Sequence, residues 1–169
     1  SIHQERNYPR DSGDFEDRGS EAGEGYNLNV PLPPGAGHAT YVEAMERLVV
    51  PELEAFRPDA IIVACGFDAA GTDPLSRMLA GTNTFAEMTA MMMAAADDLC
   101  DGRLTLVHEG GYSEVQVPFC GHATVATLAG SRTDAPDPFA ERIAGQQPGP
   151  RFERFCSTLL GEMEAALGR

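Results

Sequence analysis

The sequence lacks both a membrane-length apolar run and a paired-cysteine motif. No stretch approaches the roughly 20 apolar residues of a transmembrane helix, so we expect no membrane association. The cysteines are widely separated and form no C-x-x-C pair; they are Cys65, Cys100, Cys120 and Cys156. Without a secretory signal, such cysteines predict reduced thiols in a cytoplasmic protein.

Lysine and tryptophan are also absent. All 12 basic residues are arginines, and 26 acidic residues outnumber them, which gives a net charge of -14. This charge argues against a nucleic-acid-binding surface. It would favour a cationic partner, although ordinary solubility is the simpler explanation.

Strand-like and helix-like segments alternate along the chain, which predicts an α/β fold with a parallel sheet flanked by helices. The length of 169 residues predicts one domain. There is no targeting segment, and the chain starts at Ser1-Ile-His as though inside an element, so we expect a piece of a longer protein. The predicted strands are 26–32, 60–65 and 104–107, and the predicted helices are 39–56, 84–100, 119–129 and 151–168.

Local sequence features refine these elements. Pro51 should kink the first helix or restart it, and Thr84 with Glu87 predicts a capping box at the start of the second. Residues 5–25 are predicted to form a long loop and 131–150 a linker. The methionines of helix 84–100 are expected to fill the core rather than to bind a cofactor. The residues expected to face inward on the last helix are Phe152, Phe155, Leu159, Leu160 and Met163.

Two predicted strands end in glycine followed by a polar side chain. The first is Ala60–Asp68 and the second is Leu104–Tyr112. In open α/β sheets ligands bind outside the carboxyl ends of the strands, which makes these ends the candidate site. Asp68 could bind a metal, act as a general base or cap a following helix. Asp73, which precedes a proline, is most simply a turn residue.

The second strand end carries an unusual Gly110-Gly111-Tyr112 sequence. The two glycines allow the backbone to approach another group closely. A tyrosine at this position could donate a hydrogen bond to a developing oxyanion, or it could simply pack on the turn.

Other ligand motifs are missing. The histidines fit no metal-ligand spacing, so structural roles are expected for His3, His38, His108 and His122. Residues 66–71 do not match the G-x-G-x-x-G fingerprint, which argues against a dinucleotide site.

Several motifs in a fixed order resemble the zinc-dependent histone deacetylase family. Their sequences are Ser1-Ile-His-Gln4, Tyr8-Pro9, Gly23-Glu-Gly-Tyr-Asn-Leu-Asn-Val-Pro-Leu-Pro-Pro-Gly35, Gly66-Phe-Asp68, Asp73-Pro-Leu75 and Glu109-Gly-Gly-Tyr112. Together with Val117-Pro-Phe-Cys-Gly121, they are most similar to the bacterial class II-like members, the histone deacetylase-like amidohydrolases. The resemblance is clearest from residue 1 to about residue 130.

The resemblance implies an arginase/deacetylase-type fold and a zinc-dependent hydrolysis of acetyl-lysine or acetylpolyamine amides. It implies that Asp68 is a zinc ligand and that Tyr112 stabilises the tetrahedral oxyanion. The positions that resemble the substrate channel are Tyr8, Leu75, Gly110 and Gly111. The positions that resemble structural potassium sites are Ser1, Ile2 and Tyr26.

The chain departs from the family pattern in what it lacks. The tandem-histidine base and the Asp-x-His pair of zinc ligands occur nowhere in the 169 residues. We therefore expect residues 1–169 to be the C-terminal half of one catalytic domain, inactive alone and with apolar surface that favours homo-oligomers. The alternative hypothesis is a non-catalytic α/β module that serves in binding or assembly.

Overall fold

The computed structural model describes residues 1–168 and has an α/β architecture. Arg169, the last residue of the predicted domain, lies outside the described residues. The strands are β1 (Ile2–Gln4), β2 (Val30–Leu32), β3 (Ile61–Cys65) and β4 (Leu104–His108). The helices are α1 (His38–Ala44), α2 (Val50–Phe56), α3 (Thr82–Cys100), α4 (Val117–Leu128), α5 (Ala140–Gln146) and α6 (Pro150–Ala166).

The strands form two parallel pairs, which confirms the predicted parallel α/β class. In one pair Ile2 lies opposite Val30, and in the other Ile61 lies opposite Leu104. Residues 79 and 80 connect the two regions through single bridges to Gly37 and Ala70. Within residues 1–168 the strands therefore occur as two separate two-stranded sheets.

The predicted helix 39–56 is observed, with a local change of pitch. A π-helical turn, Met45–Val49, separates α1 from α2, and Pro51 lies in the first turn of α2. A proline lacks the N–H that the helix interior requires, so the change of pitch next to Pro51 agrees with the predicted restart.

The capping-box prediction at Thr84 is wrong. The chain leaves its bridge at Ala80, and α3 begins at once, with Gly81 as the N-cap. Thr84 lies one turn inside, where its Oγ1 accepts a hydrogen bond from the Gly81 N–H at 3.1 Å. Glu87 instead pairs with His38 Nε2 at 3.4 Å. The helix ends at Cys100 as predicted, with Asp101 and Gly102 both in the left-handed conformation.

The core lies between the strands and helices α1, α3 and α6. Its main cluster includes Val30, Leu32, Leu48, Phe85 and Leu160, which are all buried. A second cluster combines Met45, Ile61, Met92, Ala96 and Cys100. Met92 is buried and Met88 and Met91 pack against these clusters, which confirms the predicted core role for these three methionines of α3.

The C-terminal third is more structured than predicted. The expected linker 131–150 contains α5, whose Ile143 is buried. A Cβ atom added to Gly71 would lie 2.5 Å from Ile143 Cδ1, so the side chain fills the space that this glycine leaves. On α6, Leu160 and Met163 are buried as predicted, but Phe155 is exposed and Cys156 is buried in its place.

The loop 5–25 contains no α-helix or β-strand, as predicted; it has one short 3-10 turn, Glu21–Gly23. Side chains of the strand regions fix its middle. His3 Nε2 lies 2.9 Å from the Gly13 carbonyl oxygen, and Asn29 Nδ2 donates to the Asp14 carbonyl oxygen at 3.1 Å.

One face of the β3–β4 pair is open. Ile62 is 76 % exposed, and Val107 is also exposed. Parallel sheets are normally covered on both faces, so this surface agrees with the expected uncovered apolar region. Among residues 1–168, no helix has the length and apolar character needed to cross a membrane.

Arg47 joins the π-helical turn to α6. Its Nε donates to Glu164 Oε2 at 3.0 Å, and its Nη1 donates to Glu43 Oε1 at 2.7 Å and to the Ser157 carbonyl oxygen at 3.1 Å. These acidic partners raise the pKa of the Arg47 guanidinium above its usual value.

We expect Arg47→Ala to lower the free energy of unfolding by about 1–2 kcal/mol, because bonds to charged groups are lost from a partly exposed site. Urea denaturation followed by circular dichroism measures the change. Arg154→Ala, at an exposed position of α6, is the matched control and should change stability by less than about 0.5 kcal/mol. Equal effects of the two substitutions would contradict the role of Arg47.

The buried thiol of Cys120 predicts a loss of stability at alkaline pH. Burial, followed by the negative charge of Asp137, raises its pKa to about 12. An unfolded thiol ionises near pH 8.5, so above that pH the unfolded state loses a proton that the folded state keeps. Stability should fall by up to about 1.4 kcal/mol per pH unit from this group. Urea midpoints between pH 7.5 and 10.5 should fall less steeply in Cys120→Ala; an unchanged slope would count against the prediction.

Candidate active site

The segments after β3 and β4 continue side by side beyond the strand ends. The Glu109 N–H donates to the Cys65 carbonyl oxygen at 3.1 Å, and the Phe67 N–H donates to the Gly110 carbonyl oxygen at 2.8 Å. The two predicted functional stretches therefore meet at one edge of the sheet, as the rule for parallel strands predicts.

Asp68 lies at this edge and is half-buried. Residues 68 and 69 lie in a turn, and Ala70 forms its bridge with Ala80, so no helix follows Asp68 and the helix-cap alternative is wrong. A Cβ atom on Gly110 would lie 3.1 Å from Asp68 Cγ, and one on Gly66 would lie 2.7 Å from Asp68 Oδ1. Glycine at both positions therefore provides the space that the Asp68 carboxylate occupies.

The negative charge of Asp68 affects the phenol of Tyr41 on α1. Burial raises the pKa of the Tyr41 phenol on α1, and the negative charge of Asp68 raises it further. Tyr41 therefore stays protonated and neutral near pH 7. Sequence reasoning did not predict this interaction between Tyr41 and Asp68.

The backbone of Tyr112 is held by Asp73. Asp73 Oδ2 accepts a hydrogen bond from the Tyr112 N–H at 2.8 Å, while Asp73 Oδ1 accepts one from the Leu75 N–H at 2.8 Å. The second contact confirms the predicted turn role of Asp73. The first was not predicted, because it joins residues 39 positions apart. The Tyr112 side chain itself is 54 % exposed at the sheet edge.

A buried polar network lies next to this contact. Thr72 Oγ1 donates to Gln116 Oε1 at 2.9 Å and lies 2.6 Å from Ser113 Oγ. Gln116, which is fully buried, also donates from Nε2 to Asp137 Oδ2 at 3.3 Å. The network joins the two strand-end segments and the region before α5, and sequence reasoning missed all of it.

The predicted channel residues approach the same edge. The start of the loop 5–25 is attached to it, since Asn7 Nδ2 donates to the Leu75 carbonyl oxygen at 3.2 Å and Gln4 Oε1 accepts from the Arg77 N–H at 2.7 Å. Leu75 is 60 % exposed and Tyr8 is 94 % exposed. Both side chains are thus available at the rim, and their role in a channel stays a prediction.

Two of the predicted potassium positions, Ser1 and Ile2, lie at the other sheet, formed by β1 and β2. The Ser1 carbonyl oxygen accepts a hydrogen bond from the Val30 N–H at 2.8 Å, and Ile2 pairs with Val30 in register. The exposed Tyr26 ring packs edge-on against Phe56, with ring centroids 6.1 Å apart. Potassium binding at these residues stays a prediction.

Asp68 does not belong to a cluster of three potential zinc ligands in the described part of the chain. In residues 1–168 no group of three or more His, Cys, Asp or Glu side chains is placed to hold a metal ion. Catalytic zinc normally has three protein ligands, so the side chains of this chain do not fit a complete zinc site. His38 contacts Thr84 Oγ1 at 3.2 Å, and His108 lies beside the Phe67 ring, which agrees with structural roles.

Parallel strands, flanking helices and polar groups at the carboxyl ends of the strands define an α/β protein with a candidate site at the sheet edge. Residues 1–128 match the family model described as the histone deacetylase domain. The chain therefore belongs to the histone deacetylase family.

The similarity to individual family members extends over most of the chain. It is 48 % identical to a histone deacetylase-like amidohydrolase of Pseudomonas aeruginosa over 99 % of its length, which is 44 % of that protein. It is 38 % identical to a probable deacetylase of Archaeoglobus fulgidus over 77 % of its length, which is 36 % of that protein. The chain thus spans less than half the length of these relatives.

Solved structures support the same fold. The crystal structure of the HDA15 HD domain superposes with a TM-score of 0.70 and 34 % sequence identity. The match covers 77 % of this chain and 38 % of the HDA15 chain. The structure of the histone deacetylase Clr3 superposes with a TM-score of 0.76 and 27 % sequence identity. This match covers 98 % of this chain and 27 % of the Clr3 chain. Both similarities confirm the predicted arginase/deacetylase-type fold.

We predict that Gly111→Ala destabilises the strand-end segment. Gly111 has φ +128°, which side-chain-bearing residues rarely adopt, and a Cβ atom there would lie 3.0 Å from Phe67 Cβ and from Val117 Cγ2. The free energy of unfolding should fall by about 1–3 kcal/mol, as measured by urea denaturation.

Gly145→Ala is the matched control for this substitution. Gly145 lies in α5 with open space where a Cβ atom would stand, so alanine should be neutral or stabilise by about 0.5–1 kcal/mol. A neutral Gly111→Ala variant would show that the conformation described at Gly111 is wrong.

Proposed function

We propose that this chain forms the Asp68- and Tyr112-bearing part of a zinc-dependent amidohydrolase that removes acetyl groups from lysine side chains or polyamines. The observation that carries the proposal is the meeting of the segments after β3 and β4, with Asp68 packed against Gly110. The names of the relatives, a histone deacetylase-like amidohydrolase and a probable deacetylase, support the reaction class.

Tyr112 is the proposed oxyanion donor. Its phenol is exposed at the sheet edge, and its backbone is fixed by a carboxylate. A donor aimed at the position where charge develops can lower the barrier of amide hydrolysis substantially. Tyr8 and Leu75 are proposed to contact the substrate chain at the rim, and Gly110 and Gly111 allow its close approach.

Asp68 is proposed as one ligand of the metal. The side chains of residues 1–168 do not complete a zinc site, so the other ligands and the general base must be supplied from outside this chain. We therefore propose that the chain by itself does not catalyse deacetylation.

Charge and cysteine chemistry support the remaining parts of the proposal. The net charge of -14 would attract acetylated amines that keep a second positive charge, such as acetylpolyamines. The same charge disfavours nucleic acid. All four cysteines are free, which supports a reducing, cytoplasmic location.

The absence of a three-ligand cluster in residues 1–168 favours one alternative, a non-catalytic binding or assembly module. The two proposals differ in zinc content. The complete product of the gene carries about one zinc ion per chain if it is the enzyme, and none if it is the module.

Substitutions in the complete gene product test the roles of the two residues. We expect Tyr112→Phe to lower kcat about 100- to 1,000-fold, because an oxyanion donor is lost, while zinc remains bound. Asp68→Ala should lose both zinc and activity. Turnover of an acetyl-lysine peptide and of an acetylpolyamine, together with metal analysis, measures these effects.

Asp98→Ala is the control, because this position is exposed and has no proposed role in binding or catalysis. The variant should keep kcat within about twofold of the unmodified protein. Full activity of both Tyr112→Phe and Asp68→Ala, or an active protein without zinc, would overturn the proposal.

A further inference from the structure

We infer that Asp73 is the positioning residue for Tyr112, so that one carboxylate fixes both the turn after β3 and the tyrosine after β4. The inference rests on the proposed function only for its catalytic consequence. Its structural part concerns a contact that this chain contains in full: Asp73 Oδ2 accepts from the Tyr112 N–H, and Oδ1 accepts from the Leu75 N–H, each at 2.8 Å.

Burial makes this contact strong. Asp73 is only 8 % exposed, and a buried carboxylate requires hydrogen-bond donors to offset its lost hydration. Both donors are backbone N–H groups, and bonds from such donors to a charged carboxylate are about twice as strong as neutral ones. Breaking either bond would leave a buried charge poorly solvated, so the two segments are held together.

The position of the Tyr112 phenol depends on this backbone contact. The side chain is more than half exposed, so neighbouring side chains constrain it little. On one side of it stands Gly111, which has a left-handed backbone and no side chain of its own. On the other side Ser113 is buried and contacts Thr72. The point from which the Tyr112 side chain leaves the backbone, and hence the region that the phenol can reach, therefore follows from where the Tyr112 backbone is held.

The contact explains why an aspartate is required at this position. Asparagine has the same shape but only one acceptor oxygen, and its second terminal atom is an N–H donor. It can serve the Leu75 N–H or the Tyr112 N–H, but not both. Asp73→Asn should therefore release one of the two segments while it changes the volume of the side chain very little.

Nuclear magnetic resonance on this chain tests the structural part directly. In the unmodified protein we expect a scalar coupling across the hydrogen bond between the Tyr112 amide nitrogen and the Asp73 side-chain carboxyl carbon. In Asp73→Asn, hydrogen exchange of the Tyr112 amide should become at least tenfold faster, provided that the asparagine retains the Leu75 contact.

Asp98→Asn, an identical change at an exposed position of α3, is the matched control and should leave Tyr112 exchange within twofold. The coupling is measured without any substitution, so it decides the matter even if Asp73→Asn fails to fold. Absence of the coupling, or unchanged Tyr112 exchange in a folded Asp73→Asn variant that keeps the Leu75 amide protected, would overturn the inference.

Kinetics of the complete gene product test the catalytic consequence. Asp73→Asn should lower kcat at least tenfold and change KM less than threefold, since it displaces a group that acts in the transition state. In a Tyr112→Phe background the same substitution should lower kcat less than twofold, because the hydroxyl that Asp73 positions is already absent.

The double-mutant result separates positioning from general destabilisation. Equal losses from Asp73→Asn in the presence and absence of the Tyr112 hydroxyl would overturn the positioning role. If Tyr112→Phe retains full activity, the proposed function fails, whereas the amide measurements still decide whether Asp73 holds Tyr112.

Discussion

The parallel pairing of β3 with β4 is the constraint on which the rest of the candidate site depends. It sets Cys65 opposite His108, and the ladder then continues through Phe67 and Gly110. Because the register is fixed, Asp68 and Tyr112 leave the sheet at the same edge from separate stretches of sequence. Small residues at the crossing let the carboxylate lie directly against the neighbouring backbone.

Residues that act through side-chain type and local spacing could be predicted from the sequence. The apolar runs before Gly66 and before Gly110 identified both strands and both strand ends, and the periodic apolar residues identified the helical region 39–56 and α6. The start of α3 could not be predicted correctly, because the bridge at Ala80 determines where it begins. Phe155 was wrongly predicted to face inward. Periodicity identifies the apolar face of a helix, but it does not show how much of that face the rest of the protein covers.

The contacts that organise the site could not be predicted, because they join distant positions. The hydrogen bonds of Asp73 with Tyr112 and of Thr72 with Gln116 arise only when two turns of irregular backbone are brought together. No periodic pattern encodes such turns. The family resemblance identified Asp68 and Tyr112 from their motifs but contained nothing about Asp73 beyond its place before a proline.

The region that follows residue 128, where the family match ends, contributes to the structure through the side chain of Ile143. The match ends at residue 128, yet Ile143 occupies the space beside Gly71, and Asp137 accepts a hydrogen bond from the buried Gln116. The C-terminal segment thus packs against the two strand-end turns and stabilises them. The smallest unit that keeps the candidate site in shape therefore extends at least through α5, beyond residue 128, where the match to the family model ends.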